Sequence, residues 1–155
     1  MVKTYKKRKG GEIRRKTSSV RNSSSSIKNF GKEITVVFFQ MLLMVKLFHW
    51  KTYSYATHKA TDELYSKLNE DIDKFIEILL GKTGTRIDLM GQKSISLIDL
   101  NSPQQLKLKI ESFKSYLVGL TNNKAITSMT NTDLLYIRDE ILGDMNQFLY
   151  LLTFK

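Results

Sequence analysis

Apolar residues recur at helical spacing along most of the chain and predict four helices beyond residue 30. The first helix is predicted from about Lys32 to Thr52, and it is apolar around so much of its circumference that it must be buried on several sides. The turn of residues 52–54 separates it from a second helix, which is predicted to end at Gly81 in a Gly-Lys-Thr-Gly stop signal. So short a turn predicts an antiparallel helical hairpin.

The second half of the chain predicts two further helices after a long connection. The helical period breaks up over residues 82–101, a length that suits the crossover of a four-helix bundle. The third helix is predicted to begin at the capping box of residues 102–105, with Ser102 as the N-cap. The fourth is predicted to follow a weaker box made by Thr130 and Asp133. The predicted fold class is therefore all-α.

Positive charge is concentrated in the first 29 residues. Of the net charge of +10, this segment carries +9, since it holds ten Lys/Arg residues and one acid. It also contains the serine run Ser23–Ser26, and it has too little apolar surface to offset its ordering entropy. We therefore expect a disordered basic tail over residues 1–29 and one folded domain over residues 30–155.

The apolar run Ile34–Phe48 raises the alternatives of a signal peptide and a membrane span. It lies far from the N-terminus, no small-residue cleavage site follows it, and Gln40 and Lys46 interrupt it. It is also shorter than the roughly 20 apolar residues that a membrane helix needs. We expect a buried core helix, no membrane partner and an intracellular protein that is not secreted, with a virion or nuclear location as alternatives.

Histidines and acids form a spaced pattern across the predicted hairpin. Because the chain has no cysteine, a metal would bind through imidazole, carboxylate or carbonyl groups. His58 and Asp62 are four residues apart on the second helix, as are Asp73 and Glu77, so each pair shares one helix face. His49, at the end of the first helix, lies close to the turn.

Helix geometry separates the two pairs along the axis although they share a stripe. The 11-residue step from Asp62 to Asp73 returns to within about 20° of the same direction, but it rises by roughly 16 Å. One subunit therefore cannot close the site on one ion. A two-fold axis between antiparallel helices would set the His58/Asp62 end of one chain against the Asp73/Glu77 end of its mate. This ligand chemistry suits iron, with zinc or manganese as alternatives.

The stretch His49-Trp50, followed by His58-x3-Asp62-x10-Asp73-x3-Glu77, resembles the ferroxidase motif of Dps mini-ferritins in the ferritin-like superfamily. The resemblance is strong over residues 45–81 and looser over 130–152, and the His49–His58 interval is shorter than is usual in that family. The combination of tail and motif is also similar to ferritin-like proteins predicted in large DNA viruses.

The resemblance implies a ferritin-like four-helix bundle with a long crossover between helices two and three. It implies that His49, His58 and Asp62 from one chain, with Asp73 and Glu77 from its partner, bind Fe(II) and that hydrogen peroxide oxidises it. It further implies a homo-oligomer, a dimer at minimum, with a dodecamer as the larger alternative. Taken singly, each of these residues would more often be a solvated or hydrogen-bonded helix residue than a ligand.

The tail predicts non-specific DNA binding through counterion release, since its cations lack interleaved aromatics or a recognition helix. The cations assigned to this role are Lys6, Lys7, Arg8, Lys9, Arg14, Arg15 and Lys16. A targeting arm is the alternative, because the same clusters resemble a nuclear-localisation signal. The leading function is a Dps-like mini-ferritin with ferroxidase activity. The alternatives are a non-enzymatic DNA-compacting or virion structural protein that keeps the fold, and an interaction scaffold with neither activity.

Overall fold

The longest element is the helix α1, which runs without a break over Glu12–Lys51. The computed structural model describes the backbone of residues 12–154 and the side chains of residues 25–154. The helix thus begins at Glu12 rather than at about Lys32. Residues 12–31 contain no proline that would break a helix. The helix can therefore extend from its buried part, because each added residue forms one more backbone hydrogen bond. The tail predicted to be disordered overlaps α1 over residues 12–29, and its residues 1–11 lie outside the described part of the chain.

The buried half of α1 passes through the core of the protein. Its segment Ser25–Lys51 is long and apolar enough to cross a bilayer, and half of its most apolar stretch is buried against the rest of the chain. Ile34, Phe38 and Met41 are almost fully buried there. This burial is what the predicted core helix requires.

The second helix, α2, spans Tyr55–Thr83 and pairs with α1 as an antiparallel hairpin. Ser54 is its N-cap, and the Ser54 hydroxyl accepts a hydrogen bond from the Thr57 backbone N–H at 3.3 Å. Phe38 of α1 meets Phe75 of α2 edge to face at 5.3 Å between ring centroids. The helix ends at Gly84 rather than Gly81, because Gly84 adopts the left-handed conformation (φ 63°) and donates its N–H to the Leu80 carbonyl at 2.9 Å.

Residues 85–102 form the predicted long connection, which contains no helix or strand. The helix α3 follows over Pro103–Gly119 and begins at the predicted cap. The Ser102 hydroxyl accepts from the Gln105 N–H at 3.2 Å, and the Gln105 side-chain oxygen accepts from the Asn101 N–H at 2.8 Å. The predicted start of the third helix at the Ser102 cap is therefore confirmed.

Two short elements, which the periodicity did not predict, link α3 to the last helix. A 3₁₀ turn over Leu120–Asn122 leads into the one-turn helix α4, Lys124–Thr127, whose N-cap is Asn123. The last helix, α5, spans Thr132–Leu151.

The predicted capping box of Thr130 and Asp133 is wrong. Asn131 occupies the N-cap position of α5. The Asp133 carboxylate instead accepts a hydrogen bond from the neighbouring Leu134 N–H at 2.8 Å and pairs with Lys82 of α2 at 2.8 Å. The ion pair with Lys82 thus engages the Asp133 carboxylate that the predicted capping box would have used.

The core lies between α1, α2, α3 and α5, and the described residues contain no β-strand, so the all-α prediction is confirmed. α2 packs against both α1 and α5, and α3 packs against α5. The Tyr116 hydroxyl of α3 donates to the Glu33 carboxylate of α1 at 3.2 Å. The most fully buried large side chains come from every long helix and include Phe38, Met44, Leu68, Phe75, Leu106, Ile110, Leu117, Ile141 and Phe148.

Candidate metal centre

Two imidazoles face each other where the α1–α2 hairpin turns. His49 lies in the last turn of α1 and His58 in the first turn of α2, and their rings stack with centroids 3.8 Å apart at 24°. His49 is nearly buried, at 7% exposure, whereas His58 is half-buried. The short turn therefore brings together the two histidines of the sequence.

Each imidazole is held through Nδ1 by the backbone of the other residue. His49 Nδ1 donates to the His58 carbonyl at 3.0 Å, and His58 Nδ1 donates to the His49 carbonyl at 3.1 Å. A carbonyl oxygen only accepts, so each Nδ1 carries a proton and each neutral ring keeps its lone pair on Nε2. Metal-binding histidines are commonly oriented by this kind of Nδ1 hydrogen bond.

Thr61 supports this arrangement, and the sequence interpretation missed it. It is fully buried, its hydroxyl donates towards the carbonyls of Thr57 and His58 at 2.8 and 3.0 Å, and it lies 3.3 Å from His49 Nδ1. Its position three residues after His58 was the only available signal. The spacing indicates a contact with His49 only once the face of α2 that packs on α1 is known.

Asp62 lies beside His49 and is the third candidate ligand of this region. Its Oδ1 lies 3.9 Å from His49 Nε2, beyond a hydrogen bond, and its side chain is half exposed. Two ligand atoms on a tetrahedral metal with bonds of about 2.1 Å are about 3.4 Å apart. A small movement of the carboxylate would therefore let both atoms bind one ion.

Lys46 is a second neighbour that the sequence interpretation missed. Its Nζ lies 3.9 Å from Asp62 Oδ1 and 4.6 Å from the centre of the Tyr65 ring. It also lies 6.0 Å from the centre of the Trp50 ring. A metal ion that binds Asp62 must compete with this ammonium group.

Asp73 and Glu77 lie apart from the other three predicted ligands. Both are exposed on α2, on the stripe that continues from Asp62, and helix geometry puts Asp73 roughly 16 Å along the axis from Asp62. Within residues 25–154, no group of three or more histidine and acidic side chains is close enough to hold a metal ion by itself. The single subunit thus brings His49 next to His58 and, separately, next to Asp62, without forming a three-residue metal group, and it leaves Asp73 and Glu77 apart.

An exposed apolar stripe on α1 borders this region. Phe39, Leu43 and Trp50 are 42%, 41% and 68% exposed. At about 100° per residue they fall within about 40° of one direction on α1, and Lys46 lies on the same face. Large apolar side chains that share one exposed helix face commonly mark an interaction surface.

A separate acidic cluster lies between α2 and α5. Burial, followed by the charge of Asp144, raises the pKa of Asp71 to about 6. Glu140 also faces Asp71, and Lys74 partly offsets both acids, with its Nζ 3.6 Å from the Glu140 carboxylate. Asp71 is nine residues from Asp62, on the opposite side of α2, so this cluster is distinct from the candidate centre.

The predicted DNA-binding residues can be located only in part. Lys6, Lys7, Arg8 and Lys9 lie outside the described residues. Arg14, Arg15 and Lys16 belong to the first turns of α1. These three residues are therefore part of the helix that carries His49.

Comparison with known proteins identifies a family. A profile described as a family of unknown function, DUF5856, matches residues 49–152, a range that begins at His49 and includes the other four candidate ligands. No curated protein and no solved structure matches the chain. Because the matched range covers more than half of the chain, the protein belongs to the DUF5856 family.

Proposed function

We propose that this protein is a Dps-like mini-ferritin, in which two copies of a ferritin-like four-helix bundle bind and oxidise Fe(II) between them and the basic N-terminal arm binds DNA without sequence preference. The observation that carries the proposal is the oriented His49–His58 pair beside Asp62. The Nδ1 atoms of both imidazoles are engaged by carbonyls, and His49 Nε2 lies 3.9 Å from a carboxylate oxygen of the half-exposed Asp62. This donor set suits iron as the substrate.

The packing of the helices supports a bundle of the ferritin-like kind. α2 contacts α1 and α5, α3 contacts α5, and the Tyr116–Glu33 hydrogen bond joins α3 to α1. The long connection of residues 85–102 separates the α1–α2 hairpin from the second helix pair. One long crossover of this kind is a feature of ferritin-like bundles.

A second copy of the chain is the partner that the site requires. Antiparallel docking of two α2 helices would bring Asp73 and Glu77 of one protomer to His49, His58 and Asp62 of its partner. The stripe of Phe39, Leu43 and Trp50 lies beside this surface and would be buried by the same contact. Burial of these three side chains would contribute several kcal/mol to association, at about 25 cal/mol per Å² of apolar area.

The reaction proposed at the shared site is the oxidation of Fe(II) by hydrogen peroxide. Two Fe(II) ions each lose one electron, and one peroxide molecule takes up both electrons and two protons to give two waters. The carboxylates bind the cations and the imidazoles supply neutral donors. Hard carboxylate oxygens bind Fe(III) more tightly than Fe(II), which makes the oxidation more favourable.

Complementation between two inactive variants tests whether the site is shared. One variant carries His58→Ala and Asp62→Asn, and the other carries Asp73→Asn and Glu77→Gln. Each alone should oxidise Fe(II) no faster than buffer with peroxide. In a mixed dimer one of the two sites is intact, so random pairing of equal amounts should recover about a quarter of the wild-type rate.

Glu111→Gln, an exposed change on α3, serves as the control and should keep the wild-type rate. Wild-type rates in both double variants would remove the ferroxidase proposal. Inactive variants that fail to complement after mixing and refolding would remove the shared site. Salt-sensitive DNA binding by a wild-type protein that oxidises no Fe(II) would favour the non-enzymatic DNA-compacting alternative.

A further inference from the structure

A cavity lies at the opposite end of the α1–α2 hairpin from His49. It is a groove of about 560 Å³ between α1 and the residues that follow α2. This volume lies in the range of sites that hold small ligands or parts of larger ones. Its lining includes three cations, Lys28, Lys32 and Arg86, and the hydroxyl groups of Thr83 and Thr85.

The three cations of this groove favour an anion, whereas the Thr83 and Thr85 hydroxyls bond to each other and to the Leu80 carbonyl. The two threonine hydroxyls lie 2.9 Å apart, and Arg86 Nη1 donates to the Thr85 carbonyl at 3.0 Å, which holds the guanidinium at the rim. The Leu80 carbonyl at the end of α2 already accepts hydrogen bonds from the Gly84 N–H and the Thr83 hydroxyl. The Leu80 carbonyl therefore does not need a hydrogen-bond donor from the ligand, and an anion offers none.

One acid, Asp88, opposes this preference. Its Oδ2 lies 3.9 Å from Lys32 Nζ, and the two side chains are 66% and 49% exposed. An exposed pair at this distance contributes little to stability. A phosphate group could therefore compete with Asp88 for Lys32.

The positions of two further cations lie on the same side of the α1 backbone, towards its N-terminal end. Arg14, Arg21, Lys28 and Lys32 are separated by seven, seven and four residues in an unbroken helix. At 100° per residue these positions fall within about 40° of one direction, over a length of about 27 Å. A row of cations at regular spacing matches the regular negative charge of a nucleic-acid backbone.

We propose that the groove of Lys28, Lys32 and Arg86, together with the Arg14/Arg21 face of α1, binds the phosphate backbone of double-stranded DNA. This inference rests on the DNA-binding part of the proposed function. It goes beyond that part because it adds Arg21, Lys28, Lys32 and Arg86, which lie on α1 and after α2, to the tail cations already assigned to DNA. The groove reads no base sequence, since its donors suit phosphate oxygens.

The test measures the affinity of the full-length protein for a fluorescein-labelled duplex over a series of salt concentrations. Each phosphate contact contributes about −0.9 to the slope of log affinity against log salt. The double variant Lys28→Ala/Arg86→Ala should therefore make the slope less negative by about 2 units. It should also weaken binding at low salt about tenfold. Asp88→Asn should tighten binding several-fold, because it removes the opposing carboxylate.

Lys59→Ala with Lys107→Ala is the matched control, since it removes two exposed cations elsewhere and should change the slope far less. A further variant replaces Lys6, Lys7, Arg8 and Lys9 by glutamine, which measures the share of the tail. A groove variant that keeps the wild-type slope while the tail variant loses binding would overturn the inference and leave tail binding intact. Absence of DNA binding by the wild-type protein would overturn both, and neither result depends on the iron assay.

Discussion

At the scale of single residues, the candidate centre depends on hydrogen bonds that cross the hairpin turn. The reciprocal Nδ1–carbonyl bonds of His49 and His58 fix both rings, and Thr61 supports the His49 end. Such bonds orient a ligand before the metal arrives, so less ordering is needed on binding. Lys46 acts in the opposite sense, because its charge lies beside the one carboxylate of the half-site.

Lys46→Met should increase the affinity of the protein for a divalent cation. Removal of a positive charge 3.9 Å from Asp62 Oδ1 should favour cation binding by on the order of 1 kcal/mol, or up to about tenfold, at this partly exposed position. Calorimetric titration with Zn²⁺, which avoids oxidation, would measure the change. Lys107→Met, on an exposed part of α3, is the control, and equal affinities in both variants would contradict the expectation.

Asp71 should make the stability of the fold depend on pH in an identifiable way. Burial and Asp144 raise its pKa to about 6 in the folded protein, against about 3.9 in an unfolded chain, so the folded state binds the proton more tightly. The stability that this proton contributes is fully present below about pH 4 and is lost as the pH rises through 6.

Asp71→Asn should therefore raise the free energy of unfolding at pH 7 by on the order of 1 kcal/mol, a value reduced for the solvent that reaches the side chain. The gain over wild type should shrink as the pH falls from 7 to 4. Urea unfolding of both proteins at several pH values measures it. A gain that stays constant with pH would show that the carboxyl does not titrate in this window.

At the scale of elements, the helix ends are set by specific capping residues. Ser54 and Ser102 cap α2 and α3 through their hydroxyls, and Gly84 ends α2 in the left-handed conformation. The end of α2 matters for the groove, because it fixes the direction in which the chain leaves the hairpin and so places Thr85 and Arg86 beside α1.

Two glycine substitutions should change stability in opposite directions. Gly84→Ala forces a Cβ into a positive-φ position and should destabilise the protein by about 1 kcal/mol. Gly143→Ala, within α5 and with open space around the new Cβ, should stabilise it by up to about 1 kcal/mol through helix propensity. Thermal unfolding measures both, and a shift of the same sign in both variants would contradict the assigned end of α2.

At the scale of the whole molecule, the exposed stripe on α1 and the separated candidate ligand pairs on α2 both favour the proposed dimer. The proposed dimer needs a surface that covers Phe39, Leu43 and Trp50, and the proposed site needs imidazoles beside Asp73 and Glu77 that their own chain does not bring near them. A two-fold contact between α1–α2 hairpins would meet both needs with one interface.

Leu43→Lys should weaken self-association and Fe(II) oxidation together. The side chain is already 41% exposed, so the subunit should keep its helical content while the apolar interface loses a contact and gains a charge. Sedimentation equilibrium and the oxidation assay, run at the same protein concentrations, measure the two effects.

Leu108→Lys provides the matched control, because Leu108 is an exposed leucine on α3, away from the hairpin. It should leave both mass and oxidation rate unchanged. A Leu43→Lys protein that remains fully dimeric, or a monomer that oxidises Fe(II) at the wild-type rate, would argue against the hairpin interface.

The sequence by itself determined the local features of this protein. Apolar spacing predicted the helical class, the hairpin and the start of α3, because side-chain periodicity and capping depend on residues only a few positions apart. It located α1 less well, since the polar stretch before Lys32 has no apolar period, and a helix that extends from a buried segment needs none. It also missed the true end of α2, because a choice between Gly81 and Gly84 depends on which one reaches the left-handed conformation.

Only the tertiary structure decided which distant residues meet. The stacking of His49 on His58, the support from Thr61 and the approach of Lys46 to Asp62 follow from the packing of α1 on α2, which no single helix pattern specifies. Likewise, Arg86 joins Lys28 and Lys32 only because the chain after Gly84 turns back along α1. Contacts of this kind depend on the relative position of whole elements, whereas the sequence pattern reports the preferences of each element alone.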